Sequence, residues 1–288
     1  MRQSADPAYA DFVRSLGDGS AGVPGHRPYS RVVTVPDFIR SIASNALKAM
    51  TSFADFVHPD LTNTSDVAKS AILATTNESV NTWNQLCLDR LPGDERTFFS
   101  ANEIHNDDVN WTVAPKQARL FRDLFSEEFL SNMHVSGLPL HSLKLKIGAV
   151  VMLLRNLSPK QRLVNGTKAI VRRFVSNYVI ECEPFNVDGA LTGNCFLLPR
   201  INMIFTMPNT GVDILRRQFP IMLAYAHTMN KSQGQTLFRV GIDIRDNAFS
   251  HGQQFVSFSR ATSSDNVVIF TRGNDRTFVN VVLTDLLK

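Results

Sequence analysis

Acidic side chains are missing from one long stretch of this chain: between Phe129 and Ile180 there is no Asp or Glu. Cysteine is scarce, and Cys87, Cys182 and Cys195 stand far apart with no C-x-x-C spacing. Such cysteines exclude a disulfide-built scaffold and predict reduced core thiols in a cytosolic or nuclear protein. No apolar core follows Met1-Arg2-Gln3-Ser4 as a secretory signal would require. Long hydrophobic runs are absent too. The longest, Ala149–Leu154 and Ile221–Ala226, suit strands and are far too short to span a bilayer. A soluble intracellular protein is expected, in which the three N-x-S/T sequons at Asn77, Asn110 and Asn165 carry no meaning.

What is present is ordinary globular material, 43% hydrophobic and 19% charged over 288 residues, enough for one sizeable core and a smaller one. The net charge is only +4, yet the acid-free stretch holds Lys144, Lys146, Arg155, Lys160, Arg162, Lys168, Arg172 and Arg173. Acids from elsewhere in the fold would balance these charges in the simplest case. A run this long favours contact with a polyanion instead.

The pattern of elements changes along the chain. Asp6–Leu16 is a helix with Tyr9, Phe12, Val13 and Leu16 on one face, and Val32–Val35 a short strand. Phe38–Met50 reads as helical and Phe53–Leu61 as irregular. Ser70–Thr75 is an apolar strand, followed by a helix capped by Asn77 that buries Val80, Trp83, Cys87 and Leu91. Arg96–Ser100 is a further strand. From Leu143 the texture turns to β: Val150–Leu157, Lys168–Val175, Tyr178–Phe185 and Cys195–Phe205, with Asn165-Gly166 as a tight-hairpin signal. Four strands with no intervening helix predict a small barrel. The α/β texture returns with strands Pro220–Ala226, Arg239–Ile244 and Asn266–Thr271, a helix over His251–Arg260 and a closing amphipathic helix over Asp275–Leu287.

Three motifs invite chemistry. Gly17-Asp18-Gly19-Ser20-Ala21-Gly22 spells G-x-G-x-x-G. A helix precedes it and Val23-Pro24-Gly25 follows, so it reads as a helix C-cap and loop and not as a dinucleotide site. Thr228-Met229-Asn230-Lys231-Ser232-Gln233-Gly234-Gln235-Thr236 comes directly after a buried strand, where α/β proteins bind ligands. Its hydroxyls, amides and lysine suit phosphate oxygens, and an ordinary polar loop remains the other reading. Arg260 ends an apolar helix ahead of Ala261-Thr262-Ser263, either as a finger for transferring phosphate charge or as a cation at a helix C-terminus.

Taken in order, Ala74-Thr75-Thr76-Asn77, Leu145–Leu157, Asn165-Gly166-Thr167, Asn230–Thr236 and Ser259–Ser263 resemble the motif series of Pif-family helicases of superfamily one, in particular the Helitron-like branch. The resemblance implies an α/β fold: a second RecA-like domain at 1–142 and 218–288, with a small Src-homology-type β-barrel inserted at 143–217. It implies an ATP- and Mg²⁺-dependent motor moving 5′ to 3′ on single-stranded DNA, in telomere maintenance, recombination, repair or transposition. Arg260 would be the arginine finger, with Arg2 as a second nucleotide-sensing arginine. Lys231, Gln233 and Gly234 would couple nucleotide state to DNA grip. Thr76, Asn77, Thr228, Ser232, Lys144, Lys146, Arg155 and Lys168 would face DNA. No residue set is expected to hold a metal.

The chain departs from the family pattern at Thr75, His227, Ser257-Phe258 and Ala261. It also carries no G-x-x-x-x-G-K-[ST] and no acidic pair at a strand end. A cradle for the β and γ phosphates would therefore have to come from a first RecA-like domain upstream or on another chain. Alone, the chain is expected not to hydrolyse ATP. A non-catalytic nucleic-acid-binding module and a degenerate transposon-derived relic remain the alternatives.

Overall fold

The computed structural model describes residues 6–44, 47–105, 126–133, 135, 137–207 and 213–283. They fall into two compact units, one of 1–91, 186–190 and 224–288, the other of 92–185 and 191–223. The texture of the sequence changes at Leu143. The second unit begins earlier because β5 (Arg96–Phe99) and β6 (Ala101–Ile104) pair antiparallel with β7 (Ser142–Leu145) and β13 (Asp213–Gln218).

The first unit is built on a parallel five-stranded sheet. Its order is β15 (Ala226–Thr228), β4 (Ala71–Ala74), β16 (Val240–Asp243), β17 (Val267–Thr271), β3 (Arg40–Ala43). β4, β16 and β17 are buried along their whole length, which is why they read as continuous apolar runs. Alternate residues serve opposite faces. Ala71, Leu73, Val240, Ile242, Val267 and Ile269 join a core with Tyr9, Val13 and Leu16 of α1 (Pro7–Asp18) and Phe258 of α6 (Gln253–Phe258). Phe270 packs instead with Phe53 of α2 (Leu47–Val57) and Trp83 of α4 (Asn77–Arg90), with ring centroids 4.8–5.1 Å apart. Each large side chain buried in this way contributes about 1.5–3 kcal/mol. The short helix α3 (Thr64–Lys69) and an antiparallel sheet of β1 (Val23–Pro24), β2 (Ser30–Thr34) and β18 (Thr277–Val281) complete the unit.

Gly19 ends α1 with φ at 74°, the left-handed cap expected of that glycine-rich stretch. Three expectations fail in this unit. Phe38–Met50 is not one helix: Arg40–Ala43 is a strand, because the open edge of β17 takes up its backbone groups in parallel register. The following helix covers Phe53–Val57, which the sequence suggested was irregular. Thr277–Val281 is a strand paired with β2, in place of the expected closing helix, and residues 284–288 lie outside the described set.

The second unit holds an antiparallel five-stranded sheet of order β11 (Phe196–Pro199), β10 (Val179–Pro184), β9 (Lys168–Phe174), β8 (Val150–Leu153), β14 (Ile221–Leu223). It also holds a three-stranded sheet of β12 (Ile201–Thr206), β13 and β6, and a short helix α5 (Glu127–Asn132). Two apolar runs that looked like single strands are each divided. Cys195–Phe205 becomes β11 and β12, and Pro220–Ala226 becomes β14 and the first residue of β15, in different sheets. Asn165-Gly166 leads into β9, with Gly166 at φ 90°, but β8 and β9 are joined by a longer connection containing the turn Pro159–Gln161. No helix among the described residues is long and apolar enough to cross a membrane.

Candidate functional site

All five strands of the parallel sheet run the same way, so the segments that follow them share one edge. Thr228, the last residue of β15, is in register with Ala74, the last of β4. Asn84 of α4 holds β15 in place: its amide donates to Ala226 O and its oxygen accepts from Ala226 N, both at 2.9 Å. Just past this clamp the chain turns through a short 3-10 segment, Met229–Ser232. Within it Ser232 Oγ donates to Met229 O at 2.6 Å and Gln235 Nε2 to Lys231 O at 3.1 Å. Gly234 has φ +86°, a conformation a side chain would resist. Ser232 is buried, Thr228 and Lys231 are half-buried, and Gln233 and Gly234 are exposed. Burial lowers the Lys231 pKa.

Arg260 joins this turn to α6. Its side chain is turned inward, the residue being only 8% exposed. Nε donates to Val256 O at 2.8 Å, Nη1 to Gln235 O at 2.9 Å and Ser232 O at 3.3 Å, and Nη2 to Ser259 Oγ at 2.8 Å. In return, Leu237 N donates to Arg260 O at 3.0 Å. The two motifs singled out in the sequence are thus one hydrogen-bonded piece. Two side chains for which the sequence suggested no such role tie α1 to it. Tyr9 Oη donates to Phe258 O at 2.5 Å, and Asp6 accepts from Ser264 N and Oγ at 2.9 and 2.7 Å. The Ser264 bonds hold the Asp6 carboxyl below its ordinary pKa. Asp6 also caps α1, the one signal that could have drawn attention to it. Arg2 lies outside the described residues.

A second locus lies on the same edge. The chain leaves β4 toward β15 on one side, and leaves β16 toward β17 on the other, so the sheet has its topological switch point between β4 and β16. A cleft of about 520 Å³ opens there, lined by Thr76 and Ser79 after β4, Arg245 and Asp246 after β16, and Arg272 after β17. Thr76, not Asn77, is the N-cap of α4, because its Oγ1 accepts from Ser79 N at 3.2 Å. Asn77 is the first helical residue and is exposed. The helix N-terminus already faces a carboxylate: Asp246 Oδ2 accepts from Ser79 Oγ at 3.0 Å and Thr76 Oγ1 at 3.4 Å. Arg245 is anchored on the buried Asp243 through bonds of 2.9 and 2.6 Å, and Trp83 Nε1 shares that carboxylate at 2.8 Å. The Asp243 bonds raise the Arg245 pKa.

The basic residues expected to face DNA lie in the second unit and are largely engaged. Lys144 pairs with Glu95 at 3.2 Å, Arg172 with Glu183 at 2.5 Å and Arg173 with Glu181 at 3.2 Å. Acids on neighbouring strands therefore answer part of the acid-free run. Arg155 donates to Gly137 O and Leu154 O, both at 2.9 Å. Lys146 is 8% exposed, which does not suit a backbone contact on the surface. Burial of the Lys168 ammonium pushes its pKa down to about 8. Cys87 and Cys182 are buried thiols pushed up to about 12, whereas Cys195, also expected in the core, is exposed. Among the described residues no three His, Cys, Asp or Glu side chains gather as a metal cage.

The family model described as DNA helicase Pif1, 2B domain, matches residues 128–174. The chain is 32% identical over 174 residues to ATP-dependent DNA helicase PIF1 of Danio rerio, covering 57% of this chain and 26% of that protein. Against the Homo sapiens PIF1 it is 34% identical over 172 residues, covering 55% and 25%. The chain thus spans about a quarter of the length of these relatives. Its fold is similar to the crystal structure of Pif1 helicase from Candida albicans, with TM-score 0.58, 22% identity, and 98% of this chain covering 56% of that one. It is likewise similar to Bacteroides Pif1 bound to ssDNA, with TM-score 0.54 and 18% identity, covering 93% and 50%. By sequence and by fold, this chain is related to the Pif-family DNA helicases over a part of their length.

Proposed function

We propose that this chain is the nucleotide-sensing and DNA-gripping part of a Pif-type, ATP-dependent 5′-3′ DNA helicase. The observation that carries the reading is Arg260, hydrogen-bonded to the carbonyls of Ser232 and Gln235 in the turn after β15. An arginine that reaches the γ-phosphate as a finger must give up those bonds, and the turn then loses its anchor. Nucleotide state and the Lys231–Gly234 turn are thereby linked through one side chain. Thr228, Thr76 and Asn77 share the sheet edge with that turn and are the proposed grip on single-stranded DNA. The five-stranded antiparallel sheet of that unit is the proposed counterpart of the inserted barrel.

ATP and Mg²⁺ belong to this reading only with a P-loop domain, since the sequence holds no G-x-x-x-x-G-K-[ST]. That domain would cradle the triphosphate, and Arg260 would add positive charge where it builds up during transfer. The same missing motif favours a second reading, a module that binds nucleic acid without turnover.

The test is DNA-stimulated ATP hydrolysis, measured on the chain alone and with the P-loop domain of a Pif-type helicase fused ahead of it. The expected result is no activity alone and clear activity in the fusion, lost in both Arg260→Ala and Arg260→Lys. Hydrolysis by the chain alone, or a fusion indifferent to Arg260, refutes the coupling role. A fusion that binds DNA and never turns over favours the second reading.

A further inference from the structure

An exposed ring in the second unit lies beside an arginine. Tyr178 is 64% exposed. Arg200 donates from Nη1 to Phe99 O at 2.5 Å, and its guanidinium carbon lies 5.7 Å from the centre of the Tyr178 ring. The same guanidinium stands 5.2 Å from Phe219 and 6.0 Å from Phe98, both buried. Arg96 lies over Phe98 and Phe174, at 5.2 and 5.6 Å, and donates to Asn177 Oδ1 at 2.7 Å. Guanidinium and aromatic groups therefore alternate through this part of the unit.

The arrangement is held in place before any ligand arrives. Ser176 Oγ accepts from Tyr178 N at 3.0 Å and Val179 N at 3.1 Å, fixing the turn, and Arg200 N donates to Tyr178 O at 3.1 Å. Its charge is also distinctive. Arg172 and Arg173 of the same unit each pair with a glutamate. Arg96 and Arg200 pair with no carboxylate among the described residues. Burial is the main reason that the Arg200 pKa is lowered, with Tyr178 acting against the shift and Arg217 adding to it. A protein partner with an apolar face would gain little from such cations. Single-stranded nucleic acid offers both complements at once: flat base faces for the rings and phosphates for the guanidiniums.

We propose that the surface formed by Tyr178, Arg200 and Arg96 is a stacking platform for unpaired nucleotides. It is a nucleic-acid contact additional to the sheet-edge grip proposed above. It rests on that reading only in taking the chain to be a nucleic-acid binder, and it needs no nucleotide.

The test is fluorescence anisotropy with a labelled oligothymidine strand and with a duplex, on the full chain without ATP, across a salt series. Tyr178→Ala is expected to weaken single-strand binding by about tenfold. Tyr178→Trp, which keeps a stacking face, restores it, and duplex binding moves little because paired bases offer no free face. Circular dichroism confirms that the variants fold. A Tyr178→Ala variant that binds the single strand as the wild type does overturns the platform and leaves the sheet-edge grip standing. An equal loss on single strand and duplex also overturns it, since charge alone would then explain the binding. A wild-type chain with no affinity for single strands sinks both proposals.

Discussion

Replacing Arg260 by alanine removes a side chain that works as a strut in this conformation. Its guanidinium is only slightly exposed and serves four acceptors, two of them carbonyls of the turn after β15. A hydrogen bond from a charged group contributes about 1.5–3 kcal/mol. The four do not simply add, because removing the cation also relieves the cost of holding it out of water. A net loss of about 2–4 kcal/mol follows, within the range of breaking a buried network. For a unit of this size that lowers Tm by roughly 5–15 °C. The assay is thermal and urea unfolding without nucleotide, together with amide hydrogen exchange across Met229–Leu237, where protection should fall. Arg260→Lys should retain part of the stability, since one ammonium can reach one of the carbonyls but cannot span both. An arginine held outward as a finger would stabilise nothing in the isolated chain. Arg260→Ala that melts within about 1 °C of the wild type, with unchanged exchange in the turn, would therefore refute the strut and the coupling built on it.

Asn84→Leu should cost about 2–5 kcal/mol, because it strips both partners from the backbone of Ala226; urea unfolding reads this, and a cost below about 1 kcal/mol contradicts the clamp. Lys168 has a folded pKa of about 8 against an ordinary value of 10.5, so between those pH values the unfolded chain binds the extra proton and stability rises with pH. Lys168→Met should abolish that rise; an unchanged slope in denaturation curves from pH 7 to 10.5 would show that the ammonium is solvated. Asp6 is also shifted down, below 3.8, but for an acid this stabilises the fold, so its contribution is present above that pH and is lost as pH falls through the lower folded value. The stability lead of wild type over Asp6→Asn should therefore shrink between about pH 7 and pH 3, and a constant gap would count against the Ser264 contacts.

Much of the first unit was legible in the sequence because its signals are local or periodic. Ala71–Ala74, Val240–Asp243 and Val267–Thr271 are apolar enough to announce strands buried on both faces. The spacing of Val80, Trp83 and Cys87 announced α4, and the helix before Gly19 identified a C-cap under the spelling of a phosphate loop. The turn after β15 and Arg260 could each be picked out, but not their contact, which joins groups 25 and 28 residues apart. Arg40–Ala43 and Thr277–Val281 were misread because a strand at a sheet edge is decided by its neighbour's free backbone groups and not by its own pattern.

The acid-free run shows the same division from the side of charge. Sequence determined that Lys144, Arg172 and Arg173 lie in a basic stretch, whereas folding brought Glu95, Glu183 and Glu181 to them across adjacent strands. It left Arg96 and Arg200 among aromatic rings, an arrangement that no linear count of charge reveals. Composition and periodicity thus pointed to an α/β fold with a β-rich portion, and the order of motifs to the resemblance to Pif-family helicases. Which residues touch, which charges are answered and which rings reach solvent were decided only by the tertiary structure, because each depends on partners that the chain brings together from far apart.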